Sequence, residues 1–201
     1  MIVLDVEQGS PEWIAARLGI PTASQFSRLM TAKTMKLSAG SATYMNELVA
    51  ERMLNASLDP YVSELMERGS GMEQQAVDYY ELQRDVETET VGHVLTDDRK
   101  VGCSPDRLVG TDGGLEIKCP TPQVHVGYML GDEGKYKAQI QGCMWVCERK
   151  WWDWLSFHPE LPPVLVRFHR DEEFISKLGT AVNTFVERMD YAMERVKAMD
   201  K

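Results

Sequence analysis

The sequence predicts an α/β (α+β) fold in which a β-sheet is flanked by helices. Three features lead there. The N-terminal third carries helix signals throughout, the texture turns at Val86 to β-branched residues alternating with polar ones, and the last third reads as helix, two strands and a long amphipathic helix.

Ser10-Pro11-Glu12 ahead of WIAARLG supplies an N-cap, a proline at the first helical position and an early acid, with Gly19 as the stop. A second helix starts at Thr22 in TASQFSRLM. A third, from Gly40 to Asn55, sets Tyr44, Leu48 and Met53 among charged residues. VSELMERGSGMEQQAVDYYELQRD continues the helical texture, with a Gly-Ser-Gly interruption at 69–71. VETETVGHVLTDD, KVGCSPDRLVG and GLEIKC then read as strands. KYKAQIQGCMWVCERK returns to helix, WWDWLSFHP and PVLVRFHR are strands, and a helix runs from Asp171 to the end. Repeats, low-complexity tracts and linkers are absent, so one domain over residues 1–201 is expected.

No stretch approaches the ~20 consecutive apolar residues of a membrane span, and MIVLDVEQGSPEW lacks the pattern of a secretion signal. A soluble, cytoplasmic protein is expected. The formal net charge of −9 argues against a general polyanion binder but allows a local basic groove. Cys103, Cys119, Cys143 and Cys147 have no zinc-like spacing and read as buried thiols.

The chemistry lies in CSPDRLVGTDGGLEIKCP, residues 103–120. Residues i and i+2 of a strand share a face, so Glu116 and Lys118 project together, away from Leu115, Ile117 and Cys119. A hairpin centred near Thr111 sets Asp106 across from Glu116. Two carboxylates suit a hard cation such as Mg²⁺ or Mn²⁺, with the Ile117 carbonyl as a further oxygen. Lys118 can position an attacking water and stabilise developing charge, which is the chemistry of phosphodiester hydrolysis. The same spacing also suits a solvated sheet face with weak cross-strand ion pairs.

SPD at 104–106 with LEIKCP at 115–120 resembles the PD-(D/E)xK nuclease core and, more narrowly, the lambda-type (YqaJ-like) exonucleases of viral recombination. EWIAARLGIPTASQF, GSGMEQQAVDYYE and KAQIQGCMWV resemble that family's blocks in its order. The resemblance implies a restriction-endonuclease-like core with a central mixed sheet, and a Mg²⁺-dependent (or Mn²⁺-dependent) 5′-to-3′ exonuclease that digests one strand of linear duplex DNA. The product would be a 3′ overhang for recombination by strand annealing. It implies Asp106 and Glu116 as metal acids, Lys118 as catalytic lysine, Glu73 as a further ligand from the mid-chain helix and Gln139 as the residue orienting the nucleophile. It further implies that Arg17, Ser24 and Ser104 bind the terminal 5′-phosphate, that Met66 is a strand-separating wedge, and that a homotrimeric ring works beside a single-strand annealing protein.

Arg28, Lys33, Lys36 and Lys135 are candidates for that ring's basic channel. A basic residue expected shortly after Pro120 is absent, leaving Gln123 or His125 to stand in. Other readings stay open: another PD-(D/E)xK endonuclease or DNA-repair nuclease, or a catalytically idle DNA-end-binding scaffold. An iron–sulfur nuclease needs one cysteine before the core and three after it, whereas Cys103 and Cys119 sit inside it.

Overall fold

A computed structural model of the chain describes residues 1–31, 36–58 and 62–199, with the side chains of 62–70 and Glu133 left aside. The Met66 side chain and Lys33 therefore lie outside the described residues. The chain opens with strand β1 (Ile2–Leu4) and helix α1 (Pro11–Arg17), then a 3₁₀ turn (Ala23–Gln25) runs into α2 (Phe26–Leu29). Helices α3 (Gly40–Leu54) and α4 (Val62–Arg84) follow, and then strands β2 (Thr88–Glu89), β3 (His93–Leu95), β4 (Gly102–Cys103), β5 (Arg107–Val109) and β6 (Gly113–Lys118). After α5 (Pro122–Met129), a 3₁₀ turn (Asp132–Tyr136) and α6 (Lys137–Val146) come β7 (Trp151–His158), β8 (Leu161–His169) and α7 (Glu172–Met199).

The five-stranded sheet has the order β2-β5-β6-β7-β8 and is mixed: β6 and β7 run parallel and the other neighbours antiparallel. The parallel step needs a crossover, and α5 and α6 supply it. β1, β3 and β4 form a separate small antiparallel sheet. The expected strand over 86–98 is thus divided between two sheets, and β1 and α5 are elements that the sequence reading did not find.

Ser10 caps α1 by accepting the Trp13 backbone N–H at 3.1 Å. In α3 the inward residues are Tyr44, Leu48 and Val49, while Met53 is 39% exposed. Nine residues at 100° each put Met53 half a turn round from Tyr44. α4 runs unbroken through Gly69–Gly71. Glycine in a helix costs about 1 kcal/mol, and the docking of Ala76, Val77 and Tyr80 against Leu115, Ile117 and Leu155 outweighs it.

On the sheet's other face Trp152 and Trp154 are fully buried in a larger core with Phe26, Tyr44, Ile140, Met144, Leu178 and Phe185. β6 is therefore central and covered on both faces. The fully buried Asp153 carboxylate on β7 is satisfied by two Arg167 bonds (2.7 and 2.8 Å) and by the Tyr80 hydroxyl at 2.8 Å, with Arg84 at 3.5 Å. Among the described residues no helix is long and apolar enough to cross a membrane.

Candidate active site

The hairpin pairs Arg107 with Leu115, Leu108 with Gly114 and Val109 with Gly113, so its centre is Thr111. One further step of that register sets Asp106 opposite Glu116. The two glycines fit because a Cβ on Gly113 would lie 2.2 Å from the Trp151 ring and one on Gly114 2.3 Å from the Trp152 ring. β5 begins only at Arg107, so beyond Leu115 the β5-side edge of β6 loses its antiparallel partner. Asp106 takes that place, its Oδ2 accepting the Ile117 backbone N–H at 2.5 Å. The N–H and C=O of one strand residue point to the same side, which puts the Ile117 carbonyl on the Asp106 side as well.

Glu116 is only 2% exposed. The Lys118 ammonium and the Gln139 side-chain amide, the latter at 2.6 Å, both donate to its Oε1. Among the described residues no donor reaches Oε2, whose lone pairs remain for a cation. Glu116 is therefore enclosed and Lys118 half-buried, where a presented face was expected, because α6 and the turn before it close over this side of the central strand. That turn contributes Tyr136, which the sequence reading missed. Its ring lies 5.5 Å from the Lys118 ammonium, stacks on Trp154 at 5.4 Å, and its hydroxyl meets that of Tyr128 at 2.6 Å. An aromatic residue just ahead of KAQIQ was the available signal.

Burial, with the neighbouring Glu116 charge second, pushes the Asp106 carboxyl up to about 8. Burial works against the Lys118 ammonium, but Glu116 and Asp106 outweigh it and hold its pKa above the usual lysine value. Lys118 therefore stays a cation at neutral pH and serves as a donor and counter-charge. Glu73 stands near enough for its charge to raise Asp106 further, and its carboxylate is 3.7 Å from the Arg107 guanidinium. Among the described residues no three His, Cys, Asp or Glu side chains converge as a metal cluster. The acids form a pair, with Glu73 further out. Such a pair with one carbonyl still fits Mg²⁺, which binds through one or two carboxylates plus water and substrate phosphate.

At the neighbouring end of the same segment, Ser104 Oγ accepts Arg17 Nη1 at 3.1 Å and Trp13 Nε1 at 2.9 Å, and meets His93 Nδ1 at 2.9 Å. Arg17 also stacks on the Trp13 ring, 4.0 Å from its centroid. Ser24 is exposed, its hydroxyl 3.2 Å from Thr22 Oγ1, and Thr22 bridges to Gly102 at the start of β4. Arg17 and Ser104 are thus bonded to each other, and Ser24 is linked to the start of β4 only through Thr22.

His125 does not join them. The residue is fully buried, with Nδ1 at 2.6 Å from Ser156 Oγ and Nε2 at 3.0 Å from the Pro162 carbonyl. Gln123 is exposed on α5. Arg28, a channel candidate, is held by Glu47 in two bonds of 2.7 and 2.8 Å. Gln141, two residues from Gln139, ties the His169 carbonyl to the Asp171 N–H, away from the acids. Cys103, Cys143 and Cys147 are buried free thiols.

The sequence matches the YqaJ-like viral recombinase domain over residues 12–150. The chain belongs to this family. All the site residues from Arg17 to Gln139 lie inside the matched span. Among solved structures, the alkaline exonuclease LHK-Exo of Laribacter hongkongensis is 30% identical, with a TM-score of 0.84 over 95% of this chain and 98% of that one. The same values hold for its complex with dAMP. A phage related exonuclease of Haemophilus somnus 129PT shares the fold at a TM-score of 0.70, with 14% identity over 88% of this chain and 96% of that one. No curated protein matches the chain. The YqaJ-like family and its alkaline exonuclease fold agree with the restriction-endonuclease-like, mixed-sheet core expected from SPD and LEIKCP.

Proposed function

We propose that this chain is a Mg²⁺-dependent exonuclease that enters at an end of duplex DNA, digests the 5′-ended strand and leaves a 3′ single strand for recombination by annealing. Mn²⁺ would substitute. The observation that carries the reading is that residues 104–106 serve two tasks: Ser104 is bonded to Arg17, and Asp106 faces Glu116 with Lys118 and Gln139 behind it. Two residues of extended chain span roughly 7 Å, about the reach of one nucleotide's backbone. A strand whose terminal phosphate rests on Arg17 and Ser104 then offers its first internal phosphodiester to the acids, and 5′-mononucleotides are the product. The complex of the relative LHK-Exo with dAMP, a mononucleotide, supports this.

A divalent cation on Asp106, Glu116 and the Ile117 carbonyl would polarise the scissile phosphate and lower the pKa of the attacking water. Lys118 donates to the charge that develops on the phosphate oxygens, and the Tyr136 ring keeps its ammonium over the site. Gln139, fixed by its bond to Glu116, orients the water. Glu73 adds negative charge and, through Arg107, sets the entrance.

A ring of three chains would place the remaining basic residues, Lys36 and Lys135, along a central channel inside an acidic exterior. The decisive experiment is digestion of linear duplex labelled separately at each 5′ and 3′ end, with and without Mg²⁺. Release of 5′ label first, as mononucleotide and only with the cation, is expected. Internal cleavage, 3′ label first or no cleavage with any divalent ion would overturn the reading. Sedimentation at micromolar concentration should give three chains, and a monomer would remove the ring.

A further inference from the structure

The chain passes between its two sheets at residues 90–92, which join β2 to β3, and at residues 104–106, which join β4 to β5. Both crossings lie outside the strand ladders. Val91 and Pro105 are buried there, and a buried carbonyl without a ladder partner needs a donor from elsewhere. One side chain meets both. Gln8, on the segment between β1 and α1, gives one Nε2 hydrogen to the Val91 carbonyl at 2.8 Å and the other to the Pro105 carbonyl at 2.7 Å. Two carbonyl oxygens against one atom settle which way round the amide sits, since its own oxygen could bond neither. Trp13 joins the same crossings, its Nε1 lying 3.2 Å from the Gly92 carbonyl and 2.9 Å from Ser104 Oγ. Gly92 lets the N-terminal segment come this close, because a Cβ there would lie 1.9 Å from the Val6 carbonyl oxygen.

We propose that Gln8 is a positioning residue for the acid Asp106. The inference rests on the reading of Asp106 and Glu116 as the metal-binding pair. The Pro105 carbonyl and the Asp106 nitrogen belong to one rigid peptide plane, so a donor that holds this oxygen holds the plane from which the Asp106 side chain starts. On its far side Asp106 is tied by its carboxylate to the Ile117 N–H and by its carbonyl to Arg107 Nη1 at 2.6 Å. Without Gln8 the plane turns about the Pro105 ψ and the Asp106 φ, and the carboxylate moves with it. Glu116, held by Lys118 and Gln139, stays where it is. The spacing of the two acids is then lost, and Mg²⁺ demands near-ideal octahedral geometry. Gln8 is exposed, so its effect reaches the acids through these two bonds and not through the core.

The test compares the wild type with Gln8→Met, Gln8→Glu and Gln8→Lys. Methionine and glutamate keep an unbranched chain of similar length and lack the donors, one without charge and one with it; the lysine ammonium has hydrogens for both carbonyls. Mn²⁺ affinity is measured by electron paramagnetic resonance on the DNA-free protein, beside melting temperature and beside kcat and KM on linear duplex. Gln8→Met and Gln8→Glu should both bind Mn²⁺ roughly tenfold more weakly and lose roughly 10- to 100-fold in kcat, with KM changing little. Gln8→Lys should recover most of the kcat.

A lower melting temperature with unchanged Mn²⁺ affinity and kcat would mark a merely structural glutamine. Tighter Mn²⁺ binding in Gln8→Glu with none of the loss in Gln8→Met would show an effect of charge alone, and equal kcat losses in all three variants would show that the donors are not what matters; each of these results overturns the proposal. In the wild type both Gln8 side-chain hydrogens should exchange with solvent more slowly than those of unbonded glutamines, and ordinary exchange refutes the clasp even if the variants fail to fold. A wild type that binds neither Mn²⁺ nor Mg²⁺ would bring down the metal reading itself, whereas normal binding in the wild type with variants that match it removes Gln8 alone.

Discussion

Binding of Mg²⁺ to Asp106 and Glu116 is expected to expel a proton, because Asp106, with its pKa raised to about 8, holds one at neutral pH. At pH 7 a group of that pKa is ~0.9 protonated and at pH 9 ~0.1, so cation binding should release about 0.9 proton per chain at pH 7 and about 0.1 at pH 9. Titration calorimetry with Mg²⁺, and again with Mn²⁺, in two buffers of different ionisation heat counts the protons directly. Apparent affinity should rise about tenfold per pH unit up to pH 8 and level off above it. Asp106→Asn, which has nothing to titrate, should release almost none. The sign for stability follows from the same proton. The folded pKa lies above the unfolded value of ~3.9, so the metal-free fold binds a proton that the unfolded chain lacks, and its stability declines as pH rises from about 4 to about 8. Saturating Mg²⁺ should flatten that decline. A release below about 0.2 proton at pH 7, where ~0.9 is expected, or one that is the same at pH 7 and 9, would refute both the crowding of Asp106 and the cation's place beside it.

Lys118→Ala should cut the cleavage rate by roughly 10²–10³ with little change in melting temperature or DNA-end binding; activity within a few-fold of wild type would remove the lysine from the chemistry. Tyr136→Leu should slow cleavage in the wild-type background but add almost nothing to Lys118→Ala, since the ring acts through the ammonium, and additive losses would separate the two. Arg167→Ala strips two bonds from the buried Asp153 carboxylate. It should cost about 3–5 kcal/mol, which at about 2–4 °C per kcal/mol lowers the melting temperature by roughly 6–20 °C; a drop under about 2 °C would mean that Tyr80 and Arg84 suffice.

The hairpin was legible because its information is local: a turn, period-two alternation and a register that follows once the centre is known. The same holds for α1, whose cap, proline and stop are adjacent. α5 was not read, although Thr121-Pro122 is a start signal, because PQVHVGYM mixes valines with Gln123 and His125 in a short helix without an apolar stripe. β1 is three residues long and is defined by its pairing with β3, more than eighty residues away. At the site, the acids and lysine follow from chemistry within one hairpin, and Gln139 and Arg17 came from the family resemblance. Trp13, His93, Tyr136 and Arg107 were passed over because each acts only through a neighbour that tertiary structure brings to it. His125 shows the converse error, since an ionisable residue at a suitable place in the chain was spent on holding α5 to β7 and β8.

The fit of Trp151 and Trp152 over Gly113 and Gly114 restricts how this strand can change with descent. A side chain at either glycine collides with a ring, and shrinking the fully buried Trp152 ring first leaves a hole that costs about 3–5 kcal/mol, with a smaller loss at the half-buried Trp151. Each order of substitution passes through a damaged ancestor, so the two positions are free to drift only as pairs. Glycines 113 and 114 should therefore covary with tryptophans 151 and 152 among descendants of this gene, and the four together would mark its lineage even after the surrounding surface has diverged beyond recognition.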